Sequence, residues 1–584
     1  MARTALALLA LLCSHAAHAA EAADLARAVP SDALVYVEVA DPQGLWRDFE
    51  RSGLRAMARS VPPVELAFRM LCGRVKGTSL HHLGLPWDEV MGRYGSRFAL
   101  VVLDVPGAGP PPLCVLLDAS ATRDELAAAL RNTVEPTLRR NHPDAAFADE
   151  LHHEVALRVL EAGGRSAAYA FLDDVLVAGP AGAVKGLITR RARGLLAREP
   201  GLAAMRAELA APRGVFACLN VRRLLEIHRE WLRARAELAR QLDDLGVTGI
   251  QWLGVASAFD GPAVRERLYL YTGERRLGLM RLLGSLTPGA SGAGRVLPQT
   301  CPVVLSLSFK DGPELWREVV AHLERGGEVE RLARVDAARE SVYLRAGLRF
   351  DEDVVGALGG EVFAAGHLAA VVATAKRGGR VGATNALPIL GVRVADPEKL
   401  RAAVHRFLAS QPVFRGSERQ GESYRGTEVH SLVLPGRTVR PAYAFVGDYL
   451  LFARSQALLK ECVDAAADGL TLDRVPRYKV PRSQLPDACV AAAYVDLQGL
   501  SLALAGPAAE EGPIAPDGFL PLLKQLGGLH AMVVPRDDGA LVEARSRPGL
   551  LGLASLAVLA WRQQPPPAVR ELRPPAPPAG DGGR

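Results

Sequence analysis

Adjacent histidines are the residues of this chain whose type most directly suggests chemistry. There are two such pairs, His81–His82 and His152–His153. A further histidine, His142, lies ten residues before the second pair. Imidazole nitrogens bind transition metals, but neighbouring side chains point about 100° apart on a helix and to opposite faces of a strand. Neither pair can therefore chelate one ion alone, so we predict solvated loop histidines and no metal site.

Motifs for nucleotide binding or covalent catalysis are absent from the sequence. It contains no G-x-x-x-x-G-K-[ST], G-x-S-x-G, S-x-x-K or H-E-x-x-H run. The glycines between Gly289 and Gly294 do not match G-x-G-x-x-G and follow no predicted strand, so they are typical of a loop. We therefore predict no catalytic residue, no cofactor-binding residue and no cofactor.

The cysteines are too widely spaced for a paired metal-ligand motif. Six of them follow the first 20 residues: Cys72, Cys114, Cys218, Cys301, Cys462 and Cys489. No C-x-x-C occurs, which argues against a structural zinc site. Cys114 and Cys218 lie in apolar runs and are predicted to be core residues. The sequence leaves any disulfide pairing open.

Several predicted strands end in an aspartate that begins a helix, as at Asp41, Asp311 and Asp396. A carboxylate at this position accepts hydrogen bonds from the unpaired N–H groups of the first helical turn. Proline follows Asp41 and Asp396, and proline suits the first turn of a helix. We interpret these aspartates as helix caps rather than as metal ligands or catalytic groups.

The first 20 residues have the order of a secretory signal. Arg3 is followed by an apolar run from Ala5 to Leu12, and Ala17-His18-Ala19 is a small-x-small cleavage site. Leu12 before Cys13 argues against lipid attachment, which requires a small residue there. We predict a signal peptide over 1–20 and an exported protein that is periplasmic or extracellular, with membrane association left open.

Two halves of the chain repeat the same local patterns. The matching pairs are separated by 270 to 276 residues: Trp46 and Trp316, Tyr169 and Tyr443, Lys185 and Lys460, and Asn220 and Asp496. A register held this closely favours two homologous tandem modules, over 27–275 and 297–546, rather than chance similarity. The segment between them, 276–296, contains Gly, Ser and Pro and is predicted to be a flexible linker.

Each module is predicted to be α+β. Half-buried alternating strands are joined by tight turns, which implies a mostly antiparallel sheet, and we expect the helices to pack on one face of it. The pattern over 221–243 predicts one long amphipathic helix with Leu224, Trp231 and Leu238 on its apolar stripe. Trp46 and Trp316, beside apolar neighbours, are expected to anchor the core.

The C-terminal end begins with an apolar run, 549–561, that contains no charge. A helix of 13 residues is about 20 Å long, shorter than the roughly 30 Å hydrocarbon core of a bilayer. We expect it to dock on the second module or to lie at a membrane interface. Residues 563–584 are rich in proline and predict a disordered tail.

Charge and composition exclude some partners. The net charge is only +6 over 584 residues, and aromatic residues make up 5%. Nucleic-acid grooves require clustered basic residues interleaved with aromatics, so we predict no nucleic-acid partner. The hydrophobic fraction of 49% is sufficient for a large core and excludes a mostly disordered chain.

The opening phrase "VPSDALVYVEVADPQGLW" and the phrase "AYAFLDDVLVAG" carry a resemblance. They resemble large secreted bacterial proteins grouped as a domain of unknown function. In that family a strand of the type found from Pro30 to Val37 opens the mature chain. A phrase like that from Asp174 to Ala178, which recurs from Asp448 to Ala453, precedes a helix. The resemblance implies an envelope or extracellular location and assigns no catalytic residue.

These observations favour a non-enzymatic exported protein that binds an envelope or extracellular partner, which the sequence does not identify. A secreted hydrolase with a site in the cleft between the modules is one alternative, because ligand sites often lie between domains. A structural protein tethered to the membrane through 549–561 is another. Substrate, partner and oligomeric state are not encoded in any motif.

Overall fold

The computed structural model describes residues 24–60, 62–86, 97–104, 112–210, 213–325, 329–368, 388–410, 418–433, 440–505 and 524–549. The predicted signal peptide (1–20), the apolar run after Gly549 and the predicted tail (563–584) lie outside these residues.

Strands make up a large part of both halves. Those of the first half are β1 Val35–Val39, β2 Phe98–Val102, β3 Leu113–Asp118, β4 Ala146–His152, β5 Val155–Ala162, β6 Arg165–Leu172, β7 Val175–Pro180, β8 Val215–Asn220, β9 Trp252–Asp260 and β10 Ala263–Tyr271. Those that follow are β11 Gly289–Ala290, β12 Val303–Ser308, β13 Leu358–Gly366, β14 Ile389–Val394, β15 Glu418–Tyr424, β16 Thr427–Val433, β17 Ala442–Val446, β18 Tyr449–Ala453, β19 Ala488–Cys489, β20 Ala491–Asp496, β21 Gly528–Arg536 and β22 Gly539–Ser546.

The α-helices connect these strands. Those before residue 290 are α1 Pro42–Arg51, α2 Gly53–Arg59, α3 Pro62–Leu83, α4 Arg123–Ala129, α5 Glu135–Asn141, α6 Ala181–Arg191, α7 Pro200–Glu208, α8 Val221–Ile227, α9 Arg229–Arg233, α10 Ala236–Leu245 and α11 Gly278–Ser285. Those after it are α12 Gly312–Arg325, α13 Val329–Ala346, α14 Pro397–Ser410, α15 Gln456–Asp468, α16 Pro476–Arg482 and α17 Leu497–Ala505. A π-helical turn, Leu130–Val134, joins α4 to α5.

Twenty of the described strands form one continuous sheet in which every pairing is antiparallel. The spatial order is β4-β5-β6-β7-β3-β2-β1-β8-β9-β10 in the first half. It continues as β22-β21-β20-β12-β13-β14-β18-β17-β16-β15 in the second. The two halves therefore have the same strand order, reversed in direction, and they meet where β10 pairs with β22.

The predicted α+β class and the antiparallel sheet are confirmed, but the expectation that helices cover one face is wrong. On β3, Cys114 and Leu116 belong to one buried cluster with α6 and α7, whereas Val115 and Leu117 belong to another with α4. Successive side chains of a strand point to opposite faces, so a strand that is apolar at every position needs cover on both. The run "LCVLL" at 113–117 is such a strand.

The helix caps form as predicted. Asp41 Oδ1 accepts a hydrogen bond from the Gly44 N–H at 2.7 Å, and Asp311 Oδ1 accepts one from the Glu314 N–H at 2.8 Å. Asp396 caps α14 in the same way. These bonds satisfy donors that the first turn of a helix leaves unpaired, which accounts for the strand-aspartate-helix pattern without any catalytic role.

The segment 276–296 is ordered and packed rather than a flexible linker. It contains α11 and β11, and Ala293 and Val296 lie in the core of the second half. Glu361, which is fully buried, holds this segment in place: its carboxylate accepts hydrogen bonds from the Ser291 hydroxyl at 2.7 Å and the Gly292 N–H at 2.8 Å. Sequence composition could not reveal this distant carboxylate.

The long helix predicted over 221–243 is instead three short helices, α8 to α10. Arg235, at the end of α9, donates a hydrogen bond to the Trp231 carbonyl and stacks over the Trp231 ring. No residue of α9 or α10 is buried, so tertiary packing does not hold these turns in one helix. Trp46 is 47% exposed and stacks on Phe68, which corrects its predicted role as a core anchor.

Candidate functional site

A cavity of about 470 Å³ opens in the first half between the β5–β6 strands and helix α4. Tyr169 and Phe171 on β6 and Arg158 on β5 contribute to its lining, and Arg123 and Arg131 line it from the helical side. We refer to it as the first-half pocket. Because its walls come from a stiff antiparallel meander and a helix packed on it, the lining side chains have fixed relative positions.

Three polar side chains tie the helix layer to the strands beneath this pocket. Arg158 donates two hydrogen bonds to the Glu135 carboxylate, at 3.1 and 2.8 Å, and the Tyr169 hydroxyl donates a third at 2.9 Å. Burial raises the pKa of Glu135, but the hydrogen bonds from Arg158 and Tyr169 outweigh it and hold that pKa below its usual value. Burial also raises the pKa of Tyr169. Glu135 therefore stays ionised and Tyr169 neutral near pH 7.

Two arginines of the pocket are not neutralised in this way. Arg123 and Arg131 are eight residues apart, so they lie on the same side of the helical segment, and both are exposed. The Arg123 guanidinium lies 5.6 Å from the centre of the Phe171 ring. Within the described residues neither arginine forms an ion pair, whereas Arg158 is paired with both Glu135 and Asp149.

The acidic part of the pocket comes from two tight turns. Glu154 follows β4 with φ +64°, and Asp173 follows β6 with φ +54°. Since Leu157 pairs with Ala170 in the antiparallel ladder, both turns lie at the same end of the strands. The pocket lining therefore mixes these carboxylates with the guanidinium groups of the helical wall and with the rings of Tyr169 and Phe171.

The second half places different chemistry at the equivalent position. His430 pairs with Tyr443 across β16 and β17, as Arg158 pairs with Tyr169 across β5 and β6. His405 on α14 lies against this pair, 5.5 Å from the centre of the His430 ring. Arg158, which is ion-paired in the first half, thus corresponds to His430 in the second half. The tyrosine beside it is present in both halves.

The predicted loop histidines occupy separate places. His152 Nε2 lies 2.9 Å from the Thr189 hydroxyl, and the ring of His153 lies edge-on to it with 4.6 Å between ring centres. His142 ends α5, and the His81 carbonyl accepts a hydrogen bond from Asn141. His82 belongs to α3, and its side chain is not among those that the structure describes. In the described part of the chain, no three His, Cys, Asp or Glu residues are grouped to hold a metal.

The six cysteines in the described residues are all free thiols, and five are buried. Cys114 and Cys218 lie in the first-half core as predicted, and burial raises the pKa of each thiol to about 12. Burial also raises the pKa of Cys301 and Cys462, which belong to the same core cluster of the second half.

The hydrolase alternative expects a cleft between the modules. In the described residues, strands β10 and β22 pair directly at this junction, and ion pairs lie on the ladder that they form. Glu543, whose side chain is 2% exposed, accepts from Arg265 and lies 3.7 Å from Arg267. Arg545 pairs with Asp260 at 2.5 Å. These groups neutralise one another across the junction, so they stabilise the joint between the halves.

Sequence reasoning missed Glu135 and Arg158, because they are 23 positions apart and no motif joins them. Tyr169 was found, but only as part of a repeat. One signal was available: Arg158 interrupts the otherwise apolar strand "EVALRVLEA", and an arginine at such a position needs an anionic partner.

Together these features define an α+β protein with one long antiparallel sheet and a charged pocket in its first half. Residues 269–573 match the family described as protein of unknown function DUF3352, and the chain belongs to that family. No curated protein matches it. No helix among the described residues is long and apolar enough to cross a membrane.

Three crystal structures of TP0453 are similar to parts of the chain. Crystal form IV is 8% identical and covers 42% of this chain and 80% of that one. Crystal form III is 8% identical, with coverages of 47% and 91%, and form I is 9% identical, with coverages of 47% and 90%. The TM-score is 0.20 in each case, too low to define a shared fold.

Proposed function

We propose that this protein is an exported, non-enzymatic binding protein of the bacterial envelope, and that the first-half pocket binds a peptide segment carrying charges of both signs. One observation carries the proposal: Arg123 and Arg131, which have no ion-pair partner among the described residues, line the same pocket as the carboxylates of Glu154 and Asp173. A ligand with a single charge would be attracted by one set and repelled by the other. A mixed-charge peptide can pair with both.

The aromatic floor supports a peptide rather than a small zwitterion. Tyr169 and Phe171 are half-buried and present ring surface among the charged side chains of the lining. Aromatic side chains contribute large contact areas at low entropic cost and are enriched where proteins bind peptides. An apolar side chain of the ligand would pack on these rings while its charged neighbours pair with the arginines and carboxylates.

A binding role also agrees with how the polar groups are engaged. Arg158 is held by Glu135, and the raised pKa of Tyr169 keeps its hydroxyl protonated near pH 7. A catalytic tyrosine or carboxylate requires a pKa near the operating pH and a free position for the reacting atom. Groups tied to one another as these are position the pocket walls instead.

Binding is tested with three fluorescein-labelled nonapeptides of equal length: one of alternating Lys, Glu and Phe, one rich in Lys and one rich in Glu. Fluorescence anisotropy should show saturable binding of the mixed peptide, at least about tenfold tighter than either single-sign peptide. Replacing both exposed arginines (R123E/R131E) should weaken it by about tenfold, since charge-assisted hydrogen bonds to a ligand contribute roughly 1–3 kcal/mol.

The control is Arg229→Glu, which makes one charge reversal of the same kind at an exposed position on α9. Its affinity for the mixed peptide should equal that of the unchanged protein. No saturable binding of the mixed peptide, or equal weakening by Arg229→Glu, would refute the proposed site.

Export is supported by the signal-like order of residues 1–20. Mass spectrometry of the protein purified from its native host tests it. The mature N-terminus should fall directly after Ala19 or Ala20. A chain that retains Met1 and stays in the cytoplasmic fraction would contradict export.

A further inference from the structure

Three large apolar side chains stand uncovered on the sheet of the second half. Leu305 on β12 is 45% exposed, Leu390 on β14 is 52% exposed and Phe452 on β18 is 41% exposed. Leu305 and Leu390 both pair with Ala364, and Leu390 pairs with Phe452. Directly paired residues point to the same face, so these side chains form one contiguous strip. We call it the exposed strip.

The exposed strip continues towards the first half as a row of small residues. Leu305 pairs with Ala493, Ala493 with Ala531, and Ala531 with Ala544. The methyl groups of these three alanines, on three neighbouring strands, form a shallow apolar track, buried at Ala544 and partly exposed at Ala493 and Ala531. A helix can approach such a track more closely than a surface of large side chains.

The equivalent surface of the first half is covered. Val115 and Ala178 occupy the positions that Leu390 and Phe452 occupy in the second half, and they are 2% and 5% exposed. Val115 packs in a cluster with Leu130 and Val134 of the helix layer. Since the strand order is the same, the exposed strip is where the second half lacks the corresponding cover among its described residues.

The C-terminal run leaves the described part of the chain on this face. Gly549 lies so close to β10 that a Cβ added to it would be 3.0 Å from Val264 Cγ1 and 3.3 Å from Glu266 Oε1. Glu266 pairs with Ala544, the first alanine of the track. The strand β22 also ends at the same end of the sheet as β12 begins, because β22, β21, β20 and β12 alternate in direction. The run therefore starts beside the track.

The length of the run matches the distance it has to cover. Four strand spacings separate β10 from β12, or about 19 Å. The 13 residues of 549–561 reach about 20 Å as a helix. A helix of this length that starts over β10 would end near β12, which carries Leu305, the member of the exposed strip nearest to the track.

We infer that residues 549–561 of this chain dock as a helix across the alanine track and onto Leu305, at the near end of the exposed strip. The run is uncharged, and its nearest flanking charges are Arg547 and Arg562. An apolar segment of this kind needs a surface to bury it, and the exposed strip needs a cover. This inference does not depend on the proposed peptide site.

Hydrogen exchange of the full-length protein, read by mass spectrometry, tests the docking. Amides of 550–561 should exchange more slowly than an unfolded peptide, on the order of 100-fold, if the helix is docked. The replacement Leu305→Glu places a charge under the end of the helix and should abolish this protection. Leu556→Glu, made on the run itself, should have the same effect.

The control is Leu151→Glu, at a 73% exposed leucine on the edge strand β4, which should leave the protection unchanged. Exchange of β12 and β14 should stay slow in every variant, which shows that the sheet is still folded. Rapid exchange of 550–561 in the unchanged protein overturns the inference. Protection that survives Leu305→Glu also overturns it.

Two further outcomes would show that the run 549–561 binds a different surface. Protection that appears only after addition of phosphatidylglycerol vesicles indicates a lipid surface, and protection that rises with protein concentration together with a dimer mass indicates a second copy. Either result overturns docking within one chain. A photo-cross-linker placed at Leu305 should bond to residues near Trp561, and bonding to 369–387 instead would contradict the assignment.

Discussion

Replacing Arg158 by methionine is the sharpest test of how the first-half pocket is held together. Arg158 has a side chain 20% exposed, and its partner Glu135 is 6% exposed. Removing one member of a buried ion pair leaves the other charge uncompensated, which costs about 3–5 kcal/mol. Because Arg158 keeps some solvent contact, we expect about 3 kcal/mol.

The effect should depend on pH in a defined direction. In the unchanged protein the pKa of Glu135 is lower in the folded state than in the unfolded state. Its carboxylate therefore stabilises the fold at pH values above the unfolded-state pKa, and this stability is lost as the pH falls through the folded-state pKa. In Arg158→Met, burial dominates and Glu135 should have a raised pKa. The variant therefore regains stability as the pH falls and the carboxyl is protonated, so its deficit should shrink between pH 7 and pH 5.

The assay is hydrogen exchange of the β5 and β6 amides, which reports the free energy of opening of this part of the sheet. About 3 kcal/mol corresponds to exchange roughly 100-fold faster at pH 7. The double variant R158M/E135L, in which neither charge remains, should recover at least half of the loss. A deficit of equal size at pH 7 and pH 5, or a double variant less stable than Arg158→Met, would refute the reasoning.

Three further predictions concern the rest of the molecule. Arg265→Gln should destabilise the junction by about 2 kcal/mol, seen as faster exchange of β10 and β22, because it leaves the buried Glu543 carboxylate with only the more distant Arg267, whereas Glu543→Gln removes that charge and should cost less; equal effects would contradict this reasoning. Burial lowers the pKa of His530 to about 3, so the native protein should lose up to about 1.4 kcal/mol per pH unit below pH 6.5, and His530→Phe should remove this component; an unchanged pH profile would exclude it. Iodoacetamide should modify Cys72 in the native protein and leave Cys114 unmodified until denaturant is added, and native labelling of Cys114 would show that its site opens.

The class of fold could be predicted because it depends on local patterns. Alternation along "ALVYVEVAD" and the tight turns between strands indicate an antiparallel sheet, and Asp41 indicates the start of α1. These signals lie within a few residues of the element they specify. Tyr169 and Tyr443, which the repeat matches in sequence, lie on β6 and β17, at equivalent places in the strand order of the two halves, and the duplication itself stays a prediction.

Contacts between residues that are far apart in the sequence could not be predicted from such local patterns. The alternation of β10 shows which side chains share a face but not that β22 pairs with it, because strand pairing is set by the packing of the whole sheet. Glu361 fixes the segment 276–296 from about 70 positions away, and composition alone indicated a linker there. The pocket likewise depends on Arg158 meeting Glu135, a contact that no spacing rule encodes.

The ladder between β10 and β22 has a consequence for any attempt to divide the protein. Eight residues of β10 are held in register by β22, from Val264 to Tyr271. A fragment that ends near Tyr271 would leave this whole row of amides and carbonyls without its partner, and an unprotected margin of that length invites self-association. Each half produced alone is therefore expected to recruit another copy of itself or to aggregate.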